Sequence, residues 1–253
     1  SACCRTLRGL VLMKFSVPLS GATLVQRYKR FLADVQLPDG SSATLHCPNT
    51  GSMLGCASPG SRVWYSSSDN PARKYPGTWE LVEVEGGHLA GINTGLANRL
   101  VAEALLTEVL VPLRGYASVQ REVNYGDENS RIDFLLTGNA VKPAEKCYVE
   151  VKNVTLGLGN GEGAFPDAVT TRGIKHLREL LTMRERGHRA VLLFCVQHSG
   201  IDRVRPAREI DPAYAAMLQR ARSAGVELLA WRARLSPLEI VLDTQLPVVL
   251  PHD

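Results

Sequence analysis

Tyr148-Val149-Glu150-Val151-Lys152 constrains the fold of this chain more than any other segment. In an extended strand successive side chains point to opposite faces, and those at i and i+2 project together, roughly 6–7 Å apart. Val149 and Val151 therefore enter one packed layer while Glu150 and Lys152 share the other face. A second strand is read in Arg131-Ile132-Asp133-Phe134-Leu135-Leu136 from its apolar density. If the two pair side by side, one face presents two carboxylates and an ammonium. Carboxylates that close repel unless a cation lies between them. A divalent metal is the natural guest, with the lysine beside it.

Two regimes flank those strands. Residues 22–85 read as all-β: apolar runs at 31–35 and 43–46 flank the turn signal Pro38-Asp39-Gly40, and further strands fit 62–65 and 79–84. Four to five short strands in so few residues suit a small barrel such as an OB-fold. Gly86-Gly87 marks a seam, giving a barrel unit over 13–85 and a second unit over 86–253. Past it, 96–110 reads as a buried helix, apolar almost all round. Strands follow at 119–125, 131–136 and 147–154. The glycine run Gly157-Leu158-Gly159-Asn160-Gly161-Glu162-Gly163 is read as either a mobile flap or a plain connector. Thr170-Thr171 caps a helix to 186, stopped by Gly187. Residues 189–196 are a central strand, Asp211-Pro212 opens a helix to 225, and 226–231 are a last core strand.

Charge narrows the partners. The net charge is +4, with basic clusters at Arg27-Tyr28-Lys29-Arg30, at Arg73-Lys74 and along 172–189. Each alone reads as a solvated face; together with an acidic core they favour a polyanion, DNA first. No apolar run reaches about 18 residues, so no membrane helix is expected. Residues 1–12 read as an upstream extension, with Met13 as the natural start. Six cysteines without paired spacing suit buried or loop thiols in a reducing cytoplasm. Cys47 and Cys56, beside His46, lack the spacing of a zinc knuckle.

Helix, three strands, helix, strand, with Asp133 on the second strand and Glu-x-Lys on the third, is the order of the PD-(D/E)xK restriction-endonuclease-like α/β fold. In such a site Asp133 and Glu150 hold Mg²⁺ or Mn²⁺, whose preference for oxygen they match. Lys152 orients the attacking water or offsets charge on the phosphate. Glu-x-Lys alone is a weak signal, common as a surface ion pair; Asp133 and the surrounding order give it weight. Glu103, on the buried helix, either pairs with Arg99 or reaches the same metal. On the helix after the glycine run, Arg172, Lys175, His176 and Glu179 share the face opposite Ile174, Leu177 and Leu181. Arg172 and His176, near its start, are candidates for phosphate contact and proton transfer. Lys175 and Glu179 read as a solvated face. The glycine run lacks the ending of a P-loop, and Gly51-Ser52-Met53-Leu54-Gly55 is not a nucleophile elbow.

Longer strings carry a resemblance. His46-Cys47-Pro48-Asn49-Thr50-Gly51, Ser130-Arg131-Ile132-Asp133-Phe134, Glu150-Val151-Lys152-Asn153-Val154-Thr155-Leu156, Phe165-Pro166-Asp167-Ala168-Val169-Thr170 and Arg172-Gly173-Ile174-Lys175-His176-Leu177 are among them. Over residues 15–250 the chain resembles the sugar fermentation stimulation protein A family. The resemblance implies an N-terminal OB-fold joined to a nuclease-like α/β domain, DNA binding, and an effect on sugar-utilisation genes. It matches Asp133, Glu150 and Lys152 to the PD-(D/E)xK core, and Glu103 to an acidic residue on the first helix; Ile132 stands where the pattern has proline. Two functions are then expected. One is a DNA-binding protein with a Mg²⁺-dependent phosphodiesterase site, its barrel holding nucleic acid through Arg27, Lys29 and Arg30 with stacking by Tyr28 or Trp64. The other is a non-catalytic DNA-binding regulator on a nuclease scaffold. A homodimer is compatible with either.

Overall fold

The computed structural model describes residues 13–250 except 69 and 71, so the reading of residues 1–12 as an extension, with Cys3 and Cys4, lies outside the described residues. Six strands form the first sheet: β1 (Ser20–Tyr28), β2 (Leu32–Gln36), β3 (Ser42–His46), β4 (Arg62–Ser67), β5 (Gly77–Val84) and β6 (His88–Gly91). Their spatial order is β3-β2-β1-β4-β5-β6, and a parallel contact of His46 with Thr78 joins β3 to β5 and closes a five-stranded barrel, an OB-fold. Alternation fills it with Leu24, Val35, Leu45, Val63, Trp79 and Val82. Gly86 and Gly87, both at positive φ, make the hairpin turn between β5 and β6. The barrel's sheet therefore continues past the glycine pair to Gly91 and does not stop at 85. At the other end, Met13 and Leu19 pack into the core of the second domain, and Lys14 bridges to Glu239.

The second domain runs α1 (Ala97–Leu106), β7 (Tyr116–Tyr125), β8 (Ser130–Asn139), β9 (Cys147–Val154), β10 (Leu156–Gly157), β11 (Glu162–Phe165), α2 (Thr171–Glu185), β12 (Arg189–Val196), β13 (Arg203–Pro206), α3 (Pro212–Ser223), β14 (Glu227–Leu235) and β15 (Ile240–Leu246). Its main sheet has the order β15-β14-β12-β9-β8-β7. The central β9, β12 and β14 are parallel, joined by crossovers through α2 and α3, and the flanking pairs are antiparallel. Val149, Val151, Val191 and Leu193 pack on one face with Leu100 and Val101 of α1. Tyr148, Leu192 and Phe194 pack on the other with Leu177 and Leu180 of α2 and Leu218 of α3. Both faces are covered, as a parallel sheet requires.

Two segments depart from expectation. α1 ends at Leu106 rather than near 110: Thr107 caps it, Glu108 turns left-handed at φ +56°, and Pro112 prevents any resumption as α-helix. The glycine run is neither flap nor connector. It is the tight hairpin β10–β11, and β11 pairs in parallel with β13 in a small three-stranded sheet. α2 starts where its cap predicts, with Thr170 Oγ1 accepting the Gly173 N–H at 2.9 Å. Asp211 ties the helices together, accepting from Thr170 N and from Tyr214 N, each at 2.9 Å.

Candidate active site

The site lies where β8 and β9 part. Their antiparallel pairing runs Leu136 with Cys147, Leu135 with Tyr148 and Phe134 with Val149, then stops. Continued by one step, it would set Asp133 directly against Glu150, and like charges directly opposed are destabilising. Instead Asp133 takes over a backbone donor: its Oδ2 accepts the Val151 N–H at 2.7 Å, and its Oδ1 accepts from Asn98 Nδ2 of α1 at 2.7 Å. On its other side the ladder is irregular too, with Glu122 of β7 at φ +54°. Burial, followed by the nearby Glu150 charge, pushes the Asp133 carboxyl up to about 6.

Glu150 and Lys152 share the α2-side face, as alternation requires. Glu150 is 3 % exposed. Its Oε1 accepts from Lys152 Nζ at 2.8 Å and from His176 Nδ1. Its Oε2 is buried with no partner. Burial works to raise the Glu150 carboxyl, but the His176 hydrogen bond and the Lys152 charge outweigh it and hold the acid below its ordinary value. Arg172 Nε lies 3.3 Å from His176 Nε2. Arginine can only donate, so Nε2 is the acceptor and Nδ1 carries the proton toward Glu150; Lys152 Nζ, 3.0 Å from the same Nδ1, then donates its hydrogen to Glu150 Oε1 and not to the ring. Asp133, Glu150, Arg172 and His176 border a polar cleft of about 590 Å³, with Asn124, Asn129 and Arg131 of the β7–β8 hairpin on its far wall, and Lys152 lines the smaller cavity next to it.

Among the described residues no three His, Cys, Asp or Glu side chains converge as a ready ligand cage. The donor set still fits a hard cation. The partnerless Glu150 oxygen and the Asp133 carboxylate are the oxygen ligands Mg²⁺ takes, and Mg²⁺ retains several waters rather than demanding an all-protein cage.

The structure thus gathers Asp133, Glu150, Lys152, His176 and Arg172. Glu103 is not among them. It lies five positions beyond Asn98, about 140° around the helix, so it faces away. Its partner is not Arg99: Oε2 accepts the Met13 N–H at 2.7 Å in the core. Arg27 is also engaged elsewhere, its Nη2 donating at 2.9 Å to the carbonyls of Arg30, Asn49 and Gly51. It clamps a loop instead of offering itself to phosphate. Lys29 and Arg30 are exposed at the left-handed tip of the β1–β2 hairpin, outside the cleft. Tyr28 bonds Asp34, and Trp64 packs toward the α/β core beneath Arg62. Glu179 is 1 % exposed, not solvated. Its carboxylate accepts from Asp127 N at 3.0 Å and Glu128 N at 2.6 Å, pinning the β7–β8 turn to α2. Sequence reading missed Asn98; its one signal is an uncharged polar side chain in the first turn of a helix whose other polar residues are Arg99 and Glu103. The four described cysteines are free and buried.

Comparison with known proteins assigns both halves. The model of the SfsA N-terminal OB domain matches residues 25–92, and that of the sugar fermentation stimulation protein RE domain matches residues 95–239. The chain belongs to the sugar fermentation stimulation protein family. A sugar fermentation stimulation protein homolog of Shewanella piezotolerans is 56% identical over 238 residues, 94% of this chain and 100% of the relative. One of Shewanella baltica is 60% identical over 230 residues, 91% of this chain and 97% of the relative. The solved structure of Pyrococcus furiosus SfsA in complex with Ca²⁺ superposes with a TM-score of 0.81 at 25% identity, covering 94% of this chain and 98% of that one.

Proposed function

We propose that this protein binds DNA and hydrolyses phosphodiester bonds at a Mg²⁺- or Mn²⁺-dependent site of PD-(D/E)xK type. The observation that carries the reading is Asp133 seated where β8 and β9 part, beside a buried Glu150 with one oxygen unpartnered. Asp133 and Glu150 would hold the ion, which when bound supplies Lewis-acid polarisation and offsets charge on the phosphate. Lys152, already 2.8 Å from Glu150, is placed to orient the attacking water or to donate to a phosphate oxygen. His176 is bonded at both ring nitrogens, so it acts here by orienting Glu150 and Arg172 rather than by moving a proton. The exposed Arg172 keeps its terminal nitrogens for a phosphate. Lys29 and Arg30 give the barrel a separate cationic tip for the nucleic-acid backbone. The Pyrococcus furiosus protein was solved in complex with Ca²⁺, which supports a hard-cation site in the family, since Ca²⁺ takes the same oxygen donors. The four buried free thiols support placement in a reducing cytoplasm.

A second reading, a non-catalytic DNA-binding regulator linked to sugar utilisation, is favoured by the close Glu150–Lys152–His176 grouping and the lack of a third clustered ligand among the described residues. Incubation of DNA with Mg²⁺ or Mn²⁺ separates the two. Cleavage by the wild type that falls by about 100-fold or more in Glu150→Gln and Lys152→Ala supports catalysis. No cleavage, or identical cleavage by all three proteins, leaves the regulator.

A further inference from the structure

Beyond Lys152 the chain continues through Asn153, Thr155 and Gly157, alternate residues along β9 and β10. They line three cavities linked by shared lining residues, the first within the α/β domain and the other two on the seam between it and the barrel. The first, about 290 Å³, opens from Asp133, Glu150 and Lys152 and reaches Thr94 and Asn153. The second, about 240 Å³, shares Thr94 and Asn153 and is walled on the barrel side by Asn49, Thr50 and Gly51. The third, about 290 Å³, shares Thr155 with the second and ends at His88 and His198.

The walls past Lys152 are mostly Gly, Thr and Asn, small uncharged donors and acceptors. Asp167, the acidic residue of the middle chamber, is occupied by Ser52 Oγ at 2.6 Å and by the Met53 N–H at 3.2 Å; Glu85 borders the last. In the end chamber His198 Nδ1 accepts the Gly200 N–H at 3.1 Å, which leaves the proton on Nε2. Burial, then the neighbouring His88, lowers the His198 pKa to about 4, so the ring is uncharged at neutral pH. The His88 ring lies 5.9 Å away, tilted by 44°. A Cβ on Gly157 would come within 2.7 Å of His198 Nε2, and one on Gly200 within 2.5 Å of the His88 ring, so only glycine leaves both rings where they are.

The exposed His88 ring offers a face, and the buried His198 backs it; an imidazole face with convergent neutral hydrogen-bonding groups can stack an unstacked base. Chambers of this size, just under the ~300 Å³ lower end of ligand sites, admit a base and exclude a duplex. We propose that the seam is a groove for one strand of nucleic acid, leading from the Asp133–Glu150 cleft to a base-binding chamber at His88 and His198. It rests on the phosphodiesterase reading for what happens at the cleft end, and on the groove itself for which substrate enters. Gly157 lies seven positions past Glu150, about 23 Å along a strand, a span needing several nucleotides.

The test is fluorescence anisotropy of a labelled single strand of about 12 nucleotides, within the range that OB-type sites hold. A DNA strand, an RNA strand of the same sequence and a blunt duplex are compared in Ca²⁺, with wild type, Thr155→Trp and Thr50→Trp. Thermal melting checks that each variant folds; Thr50 sits on an exposed loop, so its variant decides the matter if Thr155→Trp does not fold. Wild type should bind a single strand more tightly than the duplex, and blocking the groove should weaken that binding about tenfold or more, the scale of one or two lost base contacts. The DNA and RNA arms identify the sugar that the groove takes. Unchanged single-strand affinity in a folded variant, or a duplex bound as tightly as either strand, overturns the proposal. Cleavage in Mn²⁺ is read separately. Groove-dependent binding without cleavage would sink the phosphodiesterase reading alone, and cleavage with unaltered binding in the variants would sink the groove alone.

Discussion

At the residue scale, buried titratable groups in this protein are held by specific partners, and the cost of each depends on pH. His198 is the clearest case. It is neutral and 6 % exposed, with its pKa lowered from 6.5 to about 4. Between those values the unfolded chain binds a proton that the folded protein refuses, so stability rises with pH through this window and is lost as pH falls from 6.5 toward 4. A shift of this size corresponds to about 3 kcal/mol at most. Urea titrations of His198→Gln should show a shallower loss of stability between pH 6.5 and 4 than wild type, with parallel behaviour above pH 7; equal slopes would mean another group carries the acid sensitivity. The charged residues also show where sequence reading works at this scale. Glu150 and Lys152 were legible because strand alternation decides their side. Arg27, Glu103 and Glu179 were not, because their partners include backbone groups of distant segments: the Asn49 and Gly51 carbonyls for Arg27, the Met13 N–H for Glu103, and a hairpin turn for Glu179.

At the scale of elements, the β7–β8 hairpin forms the far wall of the cleft and is pinned to α2. Glu179 accepts its two turn N–H groups, Arg178 holds Glu128 through two bonds of 2.8 Å, and Arg186 holds Asp127. Gly126 makes room, since a Cβ there would fall 1.8 Å from Glu179 Oε2. The exposed ion pairs contribute little, but the buried carboxylate contributes substantially. Glu179→Gln should cost about 2–3 kcal/mol in chemical denaturation, because an amide cannot accept from both N–H groups as the carboxylate does. A change under about 0.5 kcal/mol would place the turn's anchorage elsewhere. Elements with their own local signature were legible from sequence: β9 and β12 by apolar density, α2 by its threonine cap and terminal glycine. β10 and β11 were not, because their pairing is set by β13, some forty residues on, and glycine-rich composition carries no trace of it. β1 was obscured by burying only Leu24 fully.

At the scale of the whole molecule, the barrel and the α/β domain share a packed core and a docked loop. Leu81 of the barrel sits in the α1-side core, with Trp64 and Leu89 packed against it. The loop after β3 docks on the loop before α2 through Ser52, Met53 and Asp167. Asp167→Ala removes the two bonds to the carboxylate and keeps the one to the Asp167 carbonyl, and limited proteolysis should then cut residues 49–55 faster than in wild type; equal rates would show that the carboxylate does not hold the loop. The central claim is that Asp133 and Glu150 together seat a hard divalent cation. Isothermal titration calorimetry of Mg²⁺, Mn²⁺ and Ca²⁺ into wild type, Asp133→Asn and Glu150→Gln tests it most directly. Wild type should show one saturable site, lost or weakened about tenfold or more in either variant, a change of about 1.4 kcal/mol. No binding to wild type, or equal affinity in all three proteins, would contradict it.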